Sequence, residues 1–284
     1  MKRKYGFVVL NYNNPKDTIE CVESILSIDD KNYKIVVVDN CSTDNSFEIL
    51  KHEFEGKLEV LKSEKNGGYS YGNNVGIKYL FGKNIKNICI ATSDTLVLSK
   101  DILSQLDLII SKDIGLIGPN IVTPDSLFEN PVMKNLTMLY IMNIYFPKTM
   151  KFIRKAIYFI IPFIFRFRQK KIQIVKETFD KVSDVYMIHG SFLIMTENYF
   201  DKIGFFDEDL FMYGEEDILA YQSCINNLKI VYTPNIKVLH KGEASTKNVH
   251  KGSLSTFRIE TEKNSNKVLR KKLNFFILIK ILFR

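Results

Sequence analysis

The 284-residue chain has four cysteines, Cys21, Cys41, Cys89 and Cys224, spread widely and without a CxxC pair. That scarcity argues against a disulfide framework and reads as reduced thiols in a cytosolic compartment. No stretch reaches the roughly 18 uninterrupted apolar residues of a membrane-spanning helix. The basic start, MKRK, is followed by an apolar run of about five residues, shorter than the roughly 7–15 of a secretory signal, so no export signal is expected. Internal repeats and low-complexity tracts are also absent.

Acidic residues are missing from two segments. Residues 130–176 contain ten Lys/Arg and no Asp/Glu, and residues 267–284 contain six and none. The chain's net charge is +8, so the remainder carries −8. Both segments set their basic residues among Ile, Phe and Leu, as in KFIRKAIYFIIPFIFRFRQKK and KVLRKKLNFFILIKILFR. A nucleic-acid site would need basic residues along a groove or reading helix. The interleaved pattern fits an anionic membrane surface instead, and no nucleic-acid partner is expected. Two ordinary basic helices packed on the core or on another subunit are the alternative, and the oligomeric state stays open.

The first half alternates short apolar runs with helical periods. YGFVVLNYN, KIVVVDN, LEVLKS and NICIAT read as strands. PKDTIECVESILSI, SFEILKHEF and YGNNVGIKYLFG read as helices, the first opened by Pro15 and the last ended by Gly82. This alternation predicts an α/β fold with a largely parallel sheet covered on both faces. Ligands of such sheets bind beyond the carboxyl ends of the strands, which here carry Asn11-Tyr12, Asp39-Asn40 and Thr92-Ser93-Asp94. A helix near 100–111 and the strand IGLIGPNIV follow. Beyond the first basic segment, regular structure is expected through VYMIHGSFLIMT, then FDKIGFFDEDLFMYGEEDILAYQSCINN and KIVYTPNIKVLHKG. The expected organisation is a catalytic domain over 1–250, with 130–176 a basic, apolar insertion facing acceptor or membrane. A basic amphipathic extension covers 251–284.

Six motifs occur in one order: VVLNYNNPKDTIECVESIL, VVVDNCSTDNS, KNGGYSYGNNVGIKYL, SDTLVL, GSFLIMTENYFDKIGFFDEDLFMYGEED and VLHKGEAST. Together, over roughly residues 5–245, they resemble glycosyltransferase family 2, of the bacterial surface-polysaccharide, rhamnosyltransferase-like type. The resemblance implies the GT-A fold, a Rossmann-like mixed sheet flanked by helices. It also implies transfer of a sugar from a UDP- or dTDP-linked donor to a hydroxyl of a glycan or polyprenyl-diphosphate-linked acceptor. Such an enzyme would work in the cytoplasm, peripherally on the inner face of the cell membrane.

Each residue has a plain reading beside that one. Asp39 ends a buried strand, where its carboxylate either accepts from a base N–H or ribose hydroxyl or merely caps a turn. The resemblance assigns it to the nucleotide, and Ser42 to Ser46 are expected to start the next helix. Leu10, Asn11 and Tyr12 end the first strand, with Tyr12 either against the base or plain core. Asn66, Gly67 and Asn73 flank a Gly pair before a helix, a turn by itself and a nucleotide cover in the family context. Thr92 and Ser93 precede Asp94, where many relatives have a further acidic or amide residue.

Asp94 matches the family's metal aspartate, and His240 is expected to complete a Mn²⁺ or Mg²⁺ site. Taken alone, they are a strand-end turn aspartate and a surface histidine. Glu215, Glu216 and Asp217 form an acidic helix start, favoured by the helix dipole in any case. The resemblance implies a base among them, assigned to Asp217 with Glu216 orienting the acceptor. Glu215, His189 and Gly190 are expected near the acceptor. The alternative from another class is a non-catalytic, membrane-associated partner that keeps the GT-A fold. A nucleotidyltransferase is disfavoured, because no Gly-rich phosphate loop with a following basic residue lies near the N-terminus.

Overall fold

The computed structural model describes residues 3–130, 144–146, 180–242 and 254–282. The insertion expected at 130–176 lies outside the described residues except for Asn130 and residues 144–146.

Nine strands form one sheet among the described residues. They are β1 (Tyr5–Asn11), β2 (Tyr33–Asp39), β3 (Glu59–Lys62), β4 (Asn87–Thr92), β5 (Thr95–Val97), β6 (Ile114–Val122), β7 (Ser183–Val185), β8 (Phe192–Met195) and β9 (Lys229–His240). The spatial order is β3-β2-β1-β4-β8-β6-β9-β5, with β7 alongside β9. The pairs β1·β2, β1·β4, β2·β3 and β6·β9 are parallel. The pairs β4·β8, β6·β8, β5·β9 and β7·β9 are antiparallel. The sheet is therefore mixed. Prolines punctuate its second half: the β6·β9 register slips at Pro119, where Pro119 faces Thr233 and Asn120 faces Lys237. A proline donates no ladder hydrogen bond, so a slip of this kind is where it is tolerated.

Helices cover both faces: α1 (Pro15–Leu26), α2 (Ser46–Glu53), α3 (Gly68–Gly82), α4 (Ile102–Ile109), α5 (Glu197–Lys202) and α6 (Glu215–Ile225). The period-2 rule sorts the strand residues between two cores. Phe7, Val9, Val37, Cys89 and Ala91 pack with Cys21, Val22 and Ile25 of α1, Leu50 of α2 and Leu103 of α4. Val8, Val36, Val38, Ile88 and Ile90 pack on the other side with Ile77 and Leu80 of α3 and Tyr199 of α5. Both faces of these strands are buried, which is why they read as unbroken apolar runs.

Helix α3 begins at Gly68, three residues before the expected Tyr71. The chain can enter the helix there because Gly68 has φ of +82°, which a side chain rarely adopts. Tyr69 N–H then donates to the Phe211 carbonyl at 2.9 Å. The segment VYMIHGSFLIMT is regular only at its ends. Residues 186–191 leave the ladder between β7 and β8, and their polar groups turn to neighbouring elements.

The tail forms α7 (Leu254–Lys272) and α8 (Phe275–Leu282). Leu269, Leu273 and Leu278 are buried in a third cluster with Leu210, Ile218, Tyr221 and Ile144. Each such leucine contributes about 1.5–3 kcal/mol. Phe276, at helical spacing from Leu269 and Leu273, is 74% exposed. The helix breaks between α7 and α8, which resets the period so that Leu278 turns inward instead. Lys272 pairs with Asp207 and Asp209 at 2.9 and 2.6 Å. The tail thus packs on α6 as an ordinary helix pair does, while one aromatic stays outside.

A Cβ at Gly68 would sit 1.8 Å from the Phe211 carbonyl oxygen, on top of the unfavourable φ. Gly82, at the end of the same helix, has nothing within 4 Å of a built Cβ. Gly68→Ala should cost about 2–4 kcal/mol. Gly82→Ala should be neutral or stabilising by up to about 1 kcal/mol. Urea denaturation of the two variants against the parent chain checks the contrast.

Candidate functional site

The carboxyl ends of β1, β2 and β4 lie side by side, since Asn11 pairs with Asp39 and Leu10 with Thr92. Asp39 is fully buried. Its Oδ1 accepts from Asn11 Nδ2 at 2.7 Å and from the Ser42 hydroxyl at 2.5 Å, and its Oδ2 from Ser42 N–H at 3.0 Å. Ser42 Oγ in turn accepts from Asn13 N–H at 2.9 Å. Ser42 therefore ties the ends of β1 and β2 together rather than starting the next helix. That helix begins at Ser46, whose N–H is taken by Asp44 Oδ1 at 3.0 Å. Asn11 Oδ1 accepts from the Thr18 hydroxyl at 2.8 Å, anchoring α1 to the same corner. Leu10 and Tyr12 are half-buried at the strand end, so Tyr12 is not core.

Asn66 Oδ1 accepts from Asn40 Nδ2 and from Gly68 N–H, both at 3.1 Å, and closes the turn before α3. A Cβ on Gly67 would enter the Tyr71 ring, and one on Gly72 would meet Leu10 and Asn40. Asn73 is fully buried. Its Nδ2 donates to the Tyr69 carbonyl at 3.0 Å, while its Oδ1 has no hydrogen-bond partner. This helix start packs tightly over the carboxyl ends of β1 and β2.

Asp94 sits in the turn after β4. The Thr92 hydroxyl donates to its Oδ1 at 2.6 Å, and His240 Nε2 lies 3.3 Å from its Oδ2. Ser93 is buried beside Asn14, whose Nδ2 reaches its Oγ at 3.5 Å. The second histidine nitrogen is engaged too: His240 Nδ1 lies 2.6 Å from Glu129 Oε2. Burial disfavours a charged imidazole, but hydrogen bonds to Asp94 and Glu129 and their charges outweigh it and push His240 up to about 9. Burial likewise works against ionised Asp94, yet His240 and the Thr92 hydroxyl hold it below the usual carboxylate range. Glu129 is lowered too: burial opposes its charge, and His240 and His189 overcome it.

His189 joins this group, its ring 5.7 Å from that of His240 and its Nδ1 3.7 Å from Glu129 Oε2. Glu129, His189 and His240 each offer a ligand atom within 4.8 Å of the others. Glu129 was not foreseen from the sequence, for no motif marks it. The usable signal was Pro124-Asp125-Ser126, a turn cluster that folds residues 127–129 back along β6. Thr123 N–H donates to the Leu127 carbonyl and Glu129 N–H to the Ile121 carbonyl, at 2.9 and 3.0 Å.

Segment 186–191 links this corner to α6. The Ser191 carbonyl accepts from Thr92 N–H at 2.9 Å. Gly190 N–H donates to Glu216 Oε1 at 3.1 Å, and the Gly190 carbonyl accepts from the Tyr69 hydroxyl at 2.6 Å. A Cβ on Gly190 would lie 2.9 Å from Glu216 Oε1. Tyr69 is a second residue that sequence reasoning missed; burial, then Glu216 and Glu215, raise its phenol well above the usual value. Glu216 and Asp217 are half-exposed in the first turn of α6. The charge of Asp217, after burial, raises the nearby Tyr186 phenol.

Glu215 goes elsewhere. It is 7% exposed and lines a cavity of about 180 Å³ with Ser70, Tyr199, Phe206, Ile218 and Gln222. Its Oε1 has no hydrogen-bond partner. Burial, then repulsion from Glu216 and Asp217, pushes its carboxyl up to about 8. A buried carboxyl in such a cavity fits the inner support of α6 rather than the acceptor contact expected from the sequence.

A mixed, mostly parallel sheet flanked by helices, with the carboxyl ends of β1, β2 and β4 and an acid/histidine corner at one edge, places the fold in the GT-A class. The glycosyl transferase family 2 model matches residues 7–174. The chain belongs to that family. It is 24% identical over 236 residues, 83% of its length, to the low-salt glycan biosynthesis hexosyltransferase Agl10 of Haloferax volcanii. Among solved structures it is similar to the mannosyltransferase PcManGT of Pyrobaculum calidifontis in complex with GDP-Man and Mn²⁺, with a TM-score of 0.56, 14% identity and 91% of the chain covered. It is equally similar to residues 1–349 of S. aureus TarS in complex with UDP-GlcNAc, with a TM-score of 0.56, 17% identity and 99% covered. The chain spans 66% of the length of Agl10, 61% of PcManGT and 70% of that TarS fragment.

Glu215 yields a stability prediction. Its proton is held more tightly in the folded chain than in the unfolded one. Its contribution is therefore complete below about 4.5 and is lost as pH rises through about 8. Glu215→Gln, which mimics the protonated acid, should lose less stability than the parent between pH 5 and pH 9. The gap should reach on the order of 1–3 kcal/mol, read from denaturant midpoints across that range.

Proposed function

We propose that the chain is an inverting glycosyltransferase. It moves a hexosyl or rhamnosyl group from a UDP- or dTDP-linked donor to a hydroxyl of a lipid-linked or polysaccharide acceptor, in bacterial surface glycan synthesis. The observation that carries this reading is the gathering of Asp39, the Asp94–His240 pair and the acidic start of α6 around one edge of the sheet. The relatives' printed names, a hexosyltransferase of glycan biosynthesis and structures holding GDP-Man or UDP-GlcNAc, support it at the level of reaction class.

Asp94 Oδ2 and His240 Nε2, 3.3 Å apart, offer a carboxylate oxygen and an imidazole nitrogen. That donor set suits Mn²⁺ well and Mg²⁺ through its carboxylate, so the residues fit. Asp94 and His240 would hold the ion, which when bound supplies positive charge against the donor's diphosphate.

The chain's own residues do the rest. Asp39 accepts from the base or ribose of the donor, and Leu10, Tyr12, Asn66, Gly67, Asn73, Thr92 and Ser93 line the donor's surroundings. Asp217 accepts the proton of the acceptor hydroxyl as its oxygen bonds to the anomeric carbon and the bond to the diphosphate oxygen breaks. Attack from the face opposite the leaving group inverts the anomeric configuration. Glu216, fixed by Gly190 N–H, orients the acceptor, and His189 and Gly190 lie on the acceptor side.

The chain would act peripherally on the inner face of the cell membrane. Among the described residues no helix is long and apolar enough to cross a membrane. Support for surface contact comes from the exposed Phe276 and the acid-free run from 267 onward.

Asp217→Asn should lower transfer by at least about 10³-fold and leave donor affinity within a few-fold. Thermal shifts with UDP-, dTDP- and GDP-sugars, with and without Mn²⁺, measure the affinity. Near-normal turnover in this variant would remove Asp217 as the base. No stabilisation by any donor would remove the transferase reading itself. Phe276→Glu, which spares the buried leucines of the tail, should weaken sedimentation with phosphatidylglycerol vesicles several-fold. Unchanged sedimentation would sink the membrane assignment.

A further inference from the structure

One short contact in the corner beyond β4 belongs to a residue outside every family motif. Glu129 Oε2 lies 2.6 Å from His240 Nδ1. That is just under the roughly 2.7–2.9 Å of a charge-assisted N–H···O hydrogen bond. It is shorter than the roughly 3 Å expected between adjacent oxygen and nitrogen ligands of one octahedral ion with bonds near 2.1 Å. The other ring nitrogen, Nε2, has the wider 3.3 Å gap to Asp94 Oδ2. The two sides of the imidazole are therefore unequal.

The backbone fixes Glu129 independently of any ligand. Its N–H donates to the Ile121 carbonyl at 3.0 Å. The next residue, Asn130, is fully buried and crosslinks the corner: its Nδ2 donates to the Pro119 carbonyl at 3.0 Å and its Oδ1 accepts from His189 N–H at 2.7 Å. His189 Nδ1 faces its own loop, 3.2 Å from Ser191 N–H and 2.9 Å from the Ser191 hydroxyl. Glu129 thus comes to His240 on a braced hairpin, while His189 Nδ1 is already engaged.

We propose that Glu129 is a positioning residue: it accepts the Nδ1 proton of His240 and so aims Nε2 at Asp94, where the Nε2 lone pair becomes available to a cation that displaces the Nε2 proton. This rests on the reading of Asp94 and His240 as the cation's holders. Outer carboxylates of this kind fix the tautomer and orientation of ligating histidines, and their loss typically weakens metal binding about 10–100-fold. Glutamine keeps an acceptor oxygen in the same place but is a poor ligand in its own right. The two substitutions at position 129 therefore separate positioning from ligation.

The test is a titration of the full chain with Mn²⁺ alone, followed by electron paramagnetic resonance. The chains compared are the parent, Glu129→Ala, Glu129→Gln, His189→Ala and His240→Ala, each first shown to melt cooperatively. Expected are about 10–100-fold weaker binding in Glu129→Ala, values within a few-fold of the parent in Glu129→Gln and His189→Ala, and loss in His240→Ala. If Glu129→Gln and His189→Ala both fall as far as Glu129→Ala, the three residues ligate the ion themselves and the positioning role is overturned. Parent-like affinity in Glu129→Ala also overturns it and leaves the Asp94–His240 site standing. A parent chain that takes up no Mn²⁺ removes the metal reading and this inference with it.

Discussion

Thr95 lies opposite His240 in the antiparallel pairing of β5 with β9, and the corner described above depends on that register. After Thr92 the chain leaves the plane of β4 in a two-residue turn and joins the far end of the sheet instead. Asp94 sits in that turn, one residue from the paired position, so the last side chain of β9 meets its carboxylate. Lys241 N–H donates to the Asp94 carbonyl at 2.9 Å and continues the pairing past the strand. The Lys241 ammonium then reaches Asp17 at 2.9 Å and also Glu20, tying the corner to α1. A buried carboxylate without partners would be protonated or costly. Asp94 stays anionic because His240 and the Thr92 hydroxyl supply what water would.

Strand direction explains why residues 186–191 reach so many partners. β8 runs antiparallel to both β4 and β6. The residues entering β8 therefore lie beside the carboxyl ends of its two neighbours, at the same edge as Asp39 and Asp94. Six residues without a ladder of their own have backbone groups to satisfy. They satisfy them through Thr92, Asn130, Tyr69 and Glu216. A ladder strand in this place would have spent those groups on its neighbours, and α6 would have no backbone contact with the β4 corner through Gly190.

The elements that could be read from the sequence are those in which one physical rule dominates. The unbroken apolar runs of β1, β2 and β4 reflect burial on both faces, and α1 shows its proline start and helical period. The rule fails where tertiary contacts decide. Gly68 opens α3 early because the Phe211 carbonyl is there to be met. Phe276 points outward because the chain breaks before α8 and shifts the period. Within the site, Asp94 and His240 were legible as a pair through the order of motifs. Glu129 was not, because its role comes from a hairpin that returns along β6, and that geometry has no residue pattern beyond a turn cluster. Glu215 shares its helix turn with Glu216 and Asp217, yet it faces a cavity while Glu216 meets Gly190. Adjacency in a helix separates side chains by about 100°.

The choice between ligand and turn at Asp39 dissolves once its oxygens are followed. Oδ1 takes Asn11 and Ser42 Oγ, and Oδ2 takes Ser42 N–H. An ionised carboxylate has about four acceptor positions. The turn bonds saturate Oδ1 and leave capacity on Oδ2. They also stop the carboxylate from rotating, so the remaining acceptor direction is set before any donor arrives. On the proposed function, the turn would be the means by which this buried strand-end carboxylate keeps one oriented lone pair for the donor. Loss of the Ser42 contacts would harm that role by freeing the carboxylate, even with Asp39 itself intact.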